Sequence, residues 1–384
     1  NYFLKTGADF LVKVNNVEKF KVDSTATTIA AVIAGGLTYP TSDGSSGQFL
    51  TTNGSGGLSF ADAGGGLTYF TEGESNGTQE TSTLTAATDN ANLGGKNLAL
   101  IPRQNGALTA QAPDGSATGG NARGTNAVDF GRGRSQATEV ASGSYSTISG
   151  GYRSKASGAY STVGGGQEVH ATGGNSVASG GQENFADGSH STICGGSNND
   201  ADGSHSFVGG GIGNDATSYG SVVCGGGTNE AKTNSYATVV GGLSNDATGE
   251  YSFVGGGNGN IASGQKSFVG GGKSNTATHT TTVVAGGEGN DATFPRATIC
   301  GGMNNEAIAN VATIVGGMDN TVNADYGFIG GGEYVTSSGT YSAVVGGKSN
   351  TASGEYATVS GGQSNTASSN GGGGHTTVSG GKNN

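Results

Sequence analysis

A pair of adjacent glycines recurs at a nearly constant interval from Gly150 onward, and this repeat limits the possible folds more than any other feature. The pairs begin at residues 150, 165, 180, 195, 210, 225, 241, 256, 271, 286, 301, 316, 331, 346, 361 and 380. The spacing is 15 except for one extra residue before Gly241 and four before Gly380. A fixed period of this kind indicates stacked structural repeats, each in contact only with its neighbours.

The repeat unit has the approximate form G-G-x-x-N-x-A-x-G-x-Y-S-x-V-x. Because side chains alternate along a strand, this order predicts Asn, Ala and Gly inward on one short strand and Ser, Val and Gly inward on a second. Each repeat is then one coil of a narrow two-strand solenoid with parallel strands about 4.8 Å apart, and sixteen coils give a rod of about 75 Å. The Asn position suits a corner where stacked amides bond their copies in adjacent coils.

Composition supports an all-β array and excludes several other classes. Glycine accounts for 79 of the 384 residues, about three times the ordinary usage of about 7%. Only 12% of residues are charged and Trp is absent, which argues against both a conventional enzyme domain and a charged disordered chain. Collagen is excluded because glycine does not occupy every third position.

Charge and hydropathy limit the partners. The net charge of −11 disfavours a nucleic-acid partner, which requires a basic patch. No run of 18 apolar residues is present, so we expect no helical membrane insertion. The three cysteines, Cys194, Cys224 and Cys300, lie on non-adjacent coils, which disfavours an intrachain disulfide. The chain opens at Asn1 and ends in mid-pattern at Asn384, which we interpret as a piece of a longer chain.

Composition shifts predict three segments. Residues 1–63 form an N-terminal β-rich stalk segment, with strands such as 10–14 and 19–22 between Gly, Ser and Asn turns. Residues 64–136 form a connector of loops and weak strands, including 98–101 and 127–130. Residues 137–384 form the β-roll repeat array.

No motif predicts catalysis, so we expect no enzyme activity, no catalytic residue and no cofactor. Gly-Lys-Ser occurs at 272–274 and 347–349, but a phosphate loop also needs an earlier glycine, which Ser267 and Ser342 replace here. Arg123, Arg132 and Arg134 indicate an anion site, a solvated loop cluster or a structural ion pair. His190 and His205 lie on adjacent coils and indicate either a shared metal or an exposed aromatic stack.

One acidic column is a candidate metal site. Asp200, Asp215, Glu230 and Asp246 occupy one outward position on four successive coils. Like charges at this separation repel each other, so a cation among them is one interpretation and a solvated edge is the other.

A second outward column, four positions before the second glycine of each pair, is a candidate interface. Half of its members are apolar, the rest are Thr, and none is charged. The inward side chains are small, so at ~25 cal/mol per Å² a single roll is poorly stabilised, and an exposed apolar stripe usually marks an interface. The alternative is a column of β-favouring residues on an exposed strand. The predicted interface residues are Phe207, Val222, Phe253, Phe268, Val283 and Phe328.

Units such as NTASGEYATVSGGQ and KASGAYSTVGGGQ resemble the head repeats of trimeric autotransporter adhesins. This resemblance implies a left-handed parallel β-roll and an assembly of three chains. The upstream segments LTYPTSDGSSGQFLTTNGSGGLSFA and GSATGGNARGTNAVDFGRGRSQATEVASGSYSTISGG resemble phage tail-fibre sequences, which implies a virion context.

The leading hypothesis is therefore a phage tail-fibre segment that serves as spacer and host-surface attachment. Its expected partners are two further copies, a host cell-surface receptor with a glycan as one option, and other virion tail proteins. The alternatives are the head of a bacterial trimeric adhesin at the cell surface, the non-catalytic part of a depolymerase tail spike, and, more distantly, an ice-binding solenoid.

Overall fold

The computed structural model describes residues 106–116, 119–369 and 374–384, together with nine short strands between residues 2 and 84. The chain divides into two compact units, Asn1–Ala99 and Leu100–Asn384. All regular elements in the described residues are β-strands. None of these residues forms a helix that could cross a membrane.

The first unit consists of antiparallel sheets. One sheet has three strands, Tyr2–Thr6, Asp9–Val14 and Val17–Val22. The others are two-stranded and pair Ile33–Ala34 with Leu37–Thr38, Gln48–Thr52 with Leu58–Asp62, and Phe70–Gly73 with Thr81–Leu84. The strands predicted at 10–14 and 19–22 are confirmed, whereas the segment 98–101 lies outside the described residues.

The second unit contains a parallel β-solenoid of about 16 coils, one for each glycine pair, as the repeat predicts. Its largest sheet, sheet A, has 18 strands, each paired in parallel with the next coil's strand. The strands of sheet A are Leu108–Thr109, Val128–Asp129, Thr147–Ile148, Thr162–Val163, Val177–Ala178, Thr192–Ile193, Phe207–Val208, Val222–Val223, Thr238–Val239, Phe253–Val254, Phe268–Val269, Val283–Val284, Thr298–Ile299, Thr313–Ile314, Phe328–Ile329, Ala343–Val344, Thr358–Val359 and Thr377–Val378.

A second parallel sheet, sheet B, forms another side of each coil. Bridges from Phe185 to Asp200 and from Asp200 to Asp215 join its three-stranded and 11-stranded parts. The strands of sheet B are Lys155–Ala156, His170–Ala171, Phe185–Ala186, Asp215–Ala216, Glu230–Ala231, Asp246–Ala247, Ile261–Ala262, Thr276–Ala277, Asp291–Ala292, Glu306–Ala307, Thr321–Val322, Thr336–Ser337, Thr351–Ala352 and Thr366–Ala367.

A third side of the coil departs from the two-strand expectation. Single-residue parallel bridges run from Gly133 through Tyr152 and Gln167 to Lys382, and we name this row ladder C. Each coil contributes only one residue to ladder C. A single residue is too short to show the alternation of inward and outward side chains that marks a strand in the sequence.

The solenoid begins upstream of the glycine pairs. The strand that starts at Leu108 pairs in parallel with the strand that starts at Val128, and the latter pairs in parallel with the strand that starts at Thr147. The roll therefore starts inside the segment 64–136 that the sequence assigned to a connector. These first strands are separated by more than the regular interval of the later coils. Their longer loops lack the repeat pattern, which explains why sequence periodicity does not reveal them.

The core of the roll consists of small and β-branched side chains. In a representative coil Ala186, Gly188, Ser191 and Ile193 are buried, as the alternation predicts. The prediction that the first glycine of each pair also points inward is wrong, because Gly195 is only half-buried and a Cβ added to it would meet no atom within 4 Å.

The glycine pair forms a corner instead. Gly196 has φ of +94°, and a Cβ added there would lie 2.2 Å from the carbonyl oxygen of Gly211 in the next coil. The backbones of successive coils therefore approach too closely at this corner for any other residue.

The predicted asparagine ladder is confirmed. Twelve repeats place a fully buried Asn at this position, from Asn184 to Asn365. The Nδ2 of Asn260 donates to the carbonyls of Gly256 (2.8 Å) and Gly272 (3.0 Å) and to Oδ1 of Asn245 (3.1 Å). Its own Oδ1 accepts from the backbone N of Asn275 (3.0 Å). Each amide thus ties its own corner to both adjacent coils.

We predict that Asn260→Ala destabilises the roll by about 2–4 kcal/mol, because the change removes several hydrogen bonds and leaves buried partners unsatisfied. Asn258→Ala is the matched control, since Asn258 is exposed two positions earlier. Thermal and urea unfolding of both variants measure the difference. Equal loss of stability in the two variants would contradict a structural role for the ladder.

Candidate functional site

The outward side of sheet A carries two adjacent columns without a single charged residue. Column A1 is the predicted interface column: Thr147, Thr162, Val177, Thr192, Phe207, Val222, Thr238, Phe253, Phe268, Val283, Thr298, Thr313, Phe328, Ala343, Thr358 and Thr377. Column A2 lies two positions later: Ser149, Gly164, Ser179, Cys194, Gly209, Cys224, Val240, Gly255, Gly270, Ala285, Cys300, Val315, Gly330, Val345, Ser360 and Ser379. Sheet A therefore presents a wide uncharged face to solvent, of which the sequence predicts only column A1 as an interface.

The six predicted interface residues all lie in column A1. Phe207 pairs with Val222, and Phe253 pairs with Phe268, which pairs with Val283. The rings of Phe253 and Phe268 stack with centroids 5.3 Å apart. Phe268 and Phe328 are 39% and 38% exposed, and the other four are half-buried. These six residues are apolar and partly exposed to solvent, and their role as an interface stays a prediction.

Column A2 also holds the three cysteines. Cys194, Cys224 and Cys300 are free and exposed. Gly209 separates the first two in the column, which agrees with the expectation that they form no intrachain disulfide.

The outward side of sheet B is acidic near its middle. Asp200, Asp215, Glu230 and Asp246 are register partners on four successive coils, as predicted. Burial, followed by repulsion from Asp202 and Asp215, raises the pKa of Asp200 from 3.8 to about 6. Burial also raises the pKa of Asp215 and of Asp246, with Glu230 adding to both.

The arrangement of this acidic column gives limited support to a metal site. The Nζ of Lys232 pairs with Glu230, which offsets one of the four charges. Across the described residues, no group of three or more His, Cys, Asp or Glu side chains is placed to hold a metal ion. The cation interpretation of this column stays untested, and these contacts favour the solvated edge.

An aromatic column occupies the corner before sheet A. It consists of residues with φ near +60°, among them Tyr145, His190, Tyr251 and Tyr341. His190 and His205 belong to it, and their exposed rings stack with centroids 4.8 Å apart and 4° between planes. The aromatic-stack interpretation of these histidines is therefore confirmed. We call this row the tyrosine column.

The arginine cluster is a structural ion network. Oδ2 of Asp129 accepts from Nε of Arg123 (2.7 Å) and from Nη2 of Arg134 (3.1 Å), and all three side chains are buried. Arg132 is exposed. The structural-pair interpretation is confirmed for Arg123 and Arg134, which stabilise the first coils where the repeat pattern is missing.

A polar cavity of about 160 Å³ lies beside these first coils and was not foreseen from the sequence. Its lining residues are Gln136, Thr138, Glu139, Arg153, Lys155, Glu168 and His170. Arg153 pairs with Glu139 (3.5 Å) and with Glu168, so the main charges neutralise each other. Burial lowers the pKa of His170, whose ring meets Phe185 edge-on at 4.8 Å. The irregular loop 131–142 supplies one wall, which explains why no repeat position indicated this cavity.

These features define a parallel β-solenoid with one uncharged side, one partly acidic side and an aromatic corner. No family model matches the chain, and no curated protein matches its sequence.

We predict that Asp200→Asn stabilises the protein by about 1 kcal/mol at pH 7, a value reduced for solvent screening of a half-buried group. The pKa of Asp200 is higher in the folded chain than in the unfolded chain, so between these two values the folded chain binds a proton that the unfolded chain does not. Wild-type stability therefore rises as the pH falls from about 6 towards 3.8, and it is lost as the pH rises through that range.

Thermal unfolding between pH 4 and pH 8 measures this effect. The variant should show a smaller dependence on pH, while Glu355→Gln, which removes an exposed carboxylate, should behave like the wild type. A dependence of Tm on pH that is the same in all three proteins would refute the assignment to Asp200.

A separate measurement tests the cation ladder. Since the described residues provide no suitable metal-binding group, we expect the Tm at pH 7 to be unchanged by EDTA and by added Ca²⁺. A Tm that falls with EDTA and recovers with Ca²⁺ would establish a bound cation.

Proposed function

We propose that the chain is a structural and adhesive segment of a phage tail fibre, located in the virion, that acts as a spacer and attaches to the host surface. The observation that supports this most directly is the unbroken stack of parallel strands in sheet A. Its 18 strands give 17 steps of about 4.8 Å, and therefore a rod of about 80 Å. A rod of stacked coils maintains distance between two ends, which is the requirement for a spacer.

The proposal assigns no catalytic residue and no cofactor to the chain. Its expected partners are other tail proteins and a receptor on the host cell. The virion context rests on the resemblance of residues 37–61 and 115–151 to tail-fibre sequences. The repeats alone also resemble adhesin heads, so a bacterial surface location is the competing assignment.

Immunogold electron microscopy distinguishes these locations. Antibodies against the roll are applied to the virions and the bacterial cells of the source. Label along fibres that project from virions supports the proposal. Label on the cell envelope with none on virions would contradict it and favour the adhesin.

We further propose that three copies associate through the uncharged face formed by columns A1 and A2. The roll's core contains mostly Ala, Val, Ser and Asn, so each coil buries little apolar area. Covering Phe253, Phe268 and Phe328 against further copies adds such area at ~25 cal/mol per Å². The absence of charge from both columns means that two copies of the face do not repel each other. The number three comes from the family resemblance.

We predict that Phe253→Asp combined with Phe268→Asp splits the trimer or lowers its Tm by several degrees, because the change places two charges per chain in an apolar interface. Thr336→Asp with Thr351→Asp is the matched control, since these residues face outward from sheet B on adjacent coils. Their other register partners, Thr321 and Thr366, are uncharged. Analytical ultracentrifugation and thermal unfolding report mass and stability. A trimer mass and Tm that do not change in the first variant would show that column A1 faces solvent.

A further inference from the structure

The tyrosine column includes a continuous aromatic row near the C-terminal end of the roll. Tyr326, Tyr341, Tyr356 and His375 stack in sequence, with ring centroids 4.7, 5.2 and 4.8 Å apart. The three tyrosines are 44%, 47% and 41% exposed. In the part of the chain that the structure describes, no side chain hydrogen-bonds their hydroxyls. The row therefore presents ring edges and free hydroxyls to solvent at one position per coil.

These tyrosines adopt a backbone conformation that L-residues disfavour. Their φ angles are +60°, +60° and +58°, and the left-handed region costs about 1–2 kcal/mol for a residue with a Cβ. The fold does not require an aromatic ring there, because Asn175, Gly220 or Thr281 occupies the same corner in other coils. The left-handed corner is therefore common to the coils, and what distinguishes this row is that tyrosine occupies it in three successive coils.

The surroundings of the row resemble a recognition surface. Asp325, Thr340 and Glu355 each precede one of the tyrosines and are exposed. Tyrosine supplies rigid contact area with a polar end at low entropic cost, and binding surfaces are accordingly enriched in it. Stacking fixes each ring between its neighbours, so little further ordering is needed on binding.

We propose that this row binds a neutral polysaccharide that lies along the rod axis with about one sugar unit per coil. This inference rests on the proposed attachment function and names the ligand class for it. Because the rings stack face to face, the ligand contacts ring edges and hydroxyls. Sugar hydroxyls then exchange hydrogen bonds with the phenols and donate to the carboxylates of Asp325 and Glu355.

Spacing and charge favour this ligand over others. Same-face side chains of a peptide strand lie about 6.7 Å apart, which does not match rings 4.7 and 5.2 Å apart. A sugar unit in an extended β-linked chain advances by a distance close to one coil. The net charge of −11 and the two neighbouring carboxylates disfavour an anionic polymer.

The test is binding of the full chain to an array of neutral linear oligosaccharides with two to eight units: β-1,4-glucans, β-1,4-mannans and β-1,4-linked N-acetylglucosamine. We expect binding to at least one series, with affinity that rises up to about four units and then levels off. The triple variant Tyr326→Ser, Tyr341→Ser and Tyr356→Ser should bind at least tenfold more weakly. Oligogalacturonates, which are anionic, should bind more weakly than the neutral series.

The matched control is Tyr152→Ser with Tyr334→Ser, which removes two exposed tyrosines outside the row and should leave affinity unchanged. The conservative variant with three Tyr→Phe changes should lose part of the affinity, since it keeps the stack without the hydroxyls. Absence of binding to every neutral series, or equal binding by the triple serine variant, would overturn the proposal. So would dissociation of the triple serine variant into monomers, which would assign the row to contacts between copies. The virion labelling that tests the proposed function does not depend on this result.

Discussion

Main-chain hydrogen bonding between successive coils is the interaction on which the whole roll depends. On sheet A the backbone N of Thr192 donates to the carbonyl of Ser206 (3.0 Å), and on sheet B that of Phe185 donates to Asn199 (2.9 Å). On ladder C the backbone N of Ser197 donates to Gly211 (2.9 Å). The core side chains are too small to hold the coils by apolar burial alone, so backbone pairing and the buried amide ladder carry much of the stability.

Because backbone pairing and the amide ladder hold the coils together, the outward side chains can differ from one side of the roll to another. The inward positions repeat closely because every coil must fit the one before it, whereas the outward positions vary without disturbing the stack. Sheet A is uncharged along its outer columns, and the corner between the two sheets carries stacked aromatic rings. Sheet B carries a run of carboxylates that includes Asp200, whose pKa is raised by burial. One scaffold thus carries three chemically different surfaces.

Sequence reasoning could predict the elements that follow the period and could not predict the rest. The regular spacing of the glycine pairs was sufficient to predict the parallel stack, the buried Ala and Val positions and the ladder formed by Asn184 and its equivalents. It missed ladder C, because a single residue per coil shows no alternation. It placed the first glycine of each pair inward, because glycine has no side chain and so carries no hydropathy signal. The first coils escaped detection because the buried Arg123–Asp129–Arg134 network replaces the repeat pattern there. The left-handed φ of Tyr341 could not be predicted either, because glycine is the residue expected where φ is positive.

The central claim is that an uncharged side of a thin solenoid brings copies of the chain together into a fibre. Electron cryomicroscopy of the purified chain tests this most directly, because it shows both the number of rods and the side by which they meet. The account predicts three parallel rods with the outer columns of sheet A turned toward a common axis and the tyrosine column accessible at the edge. Single separate rods, or an assembly in which sheet A faces solvent, would contradict it.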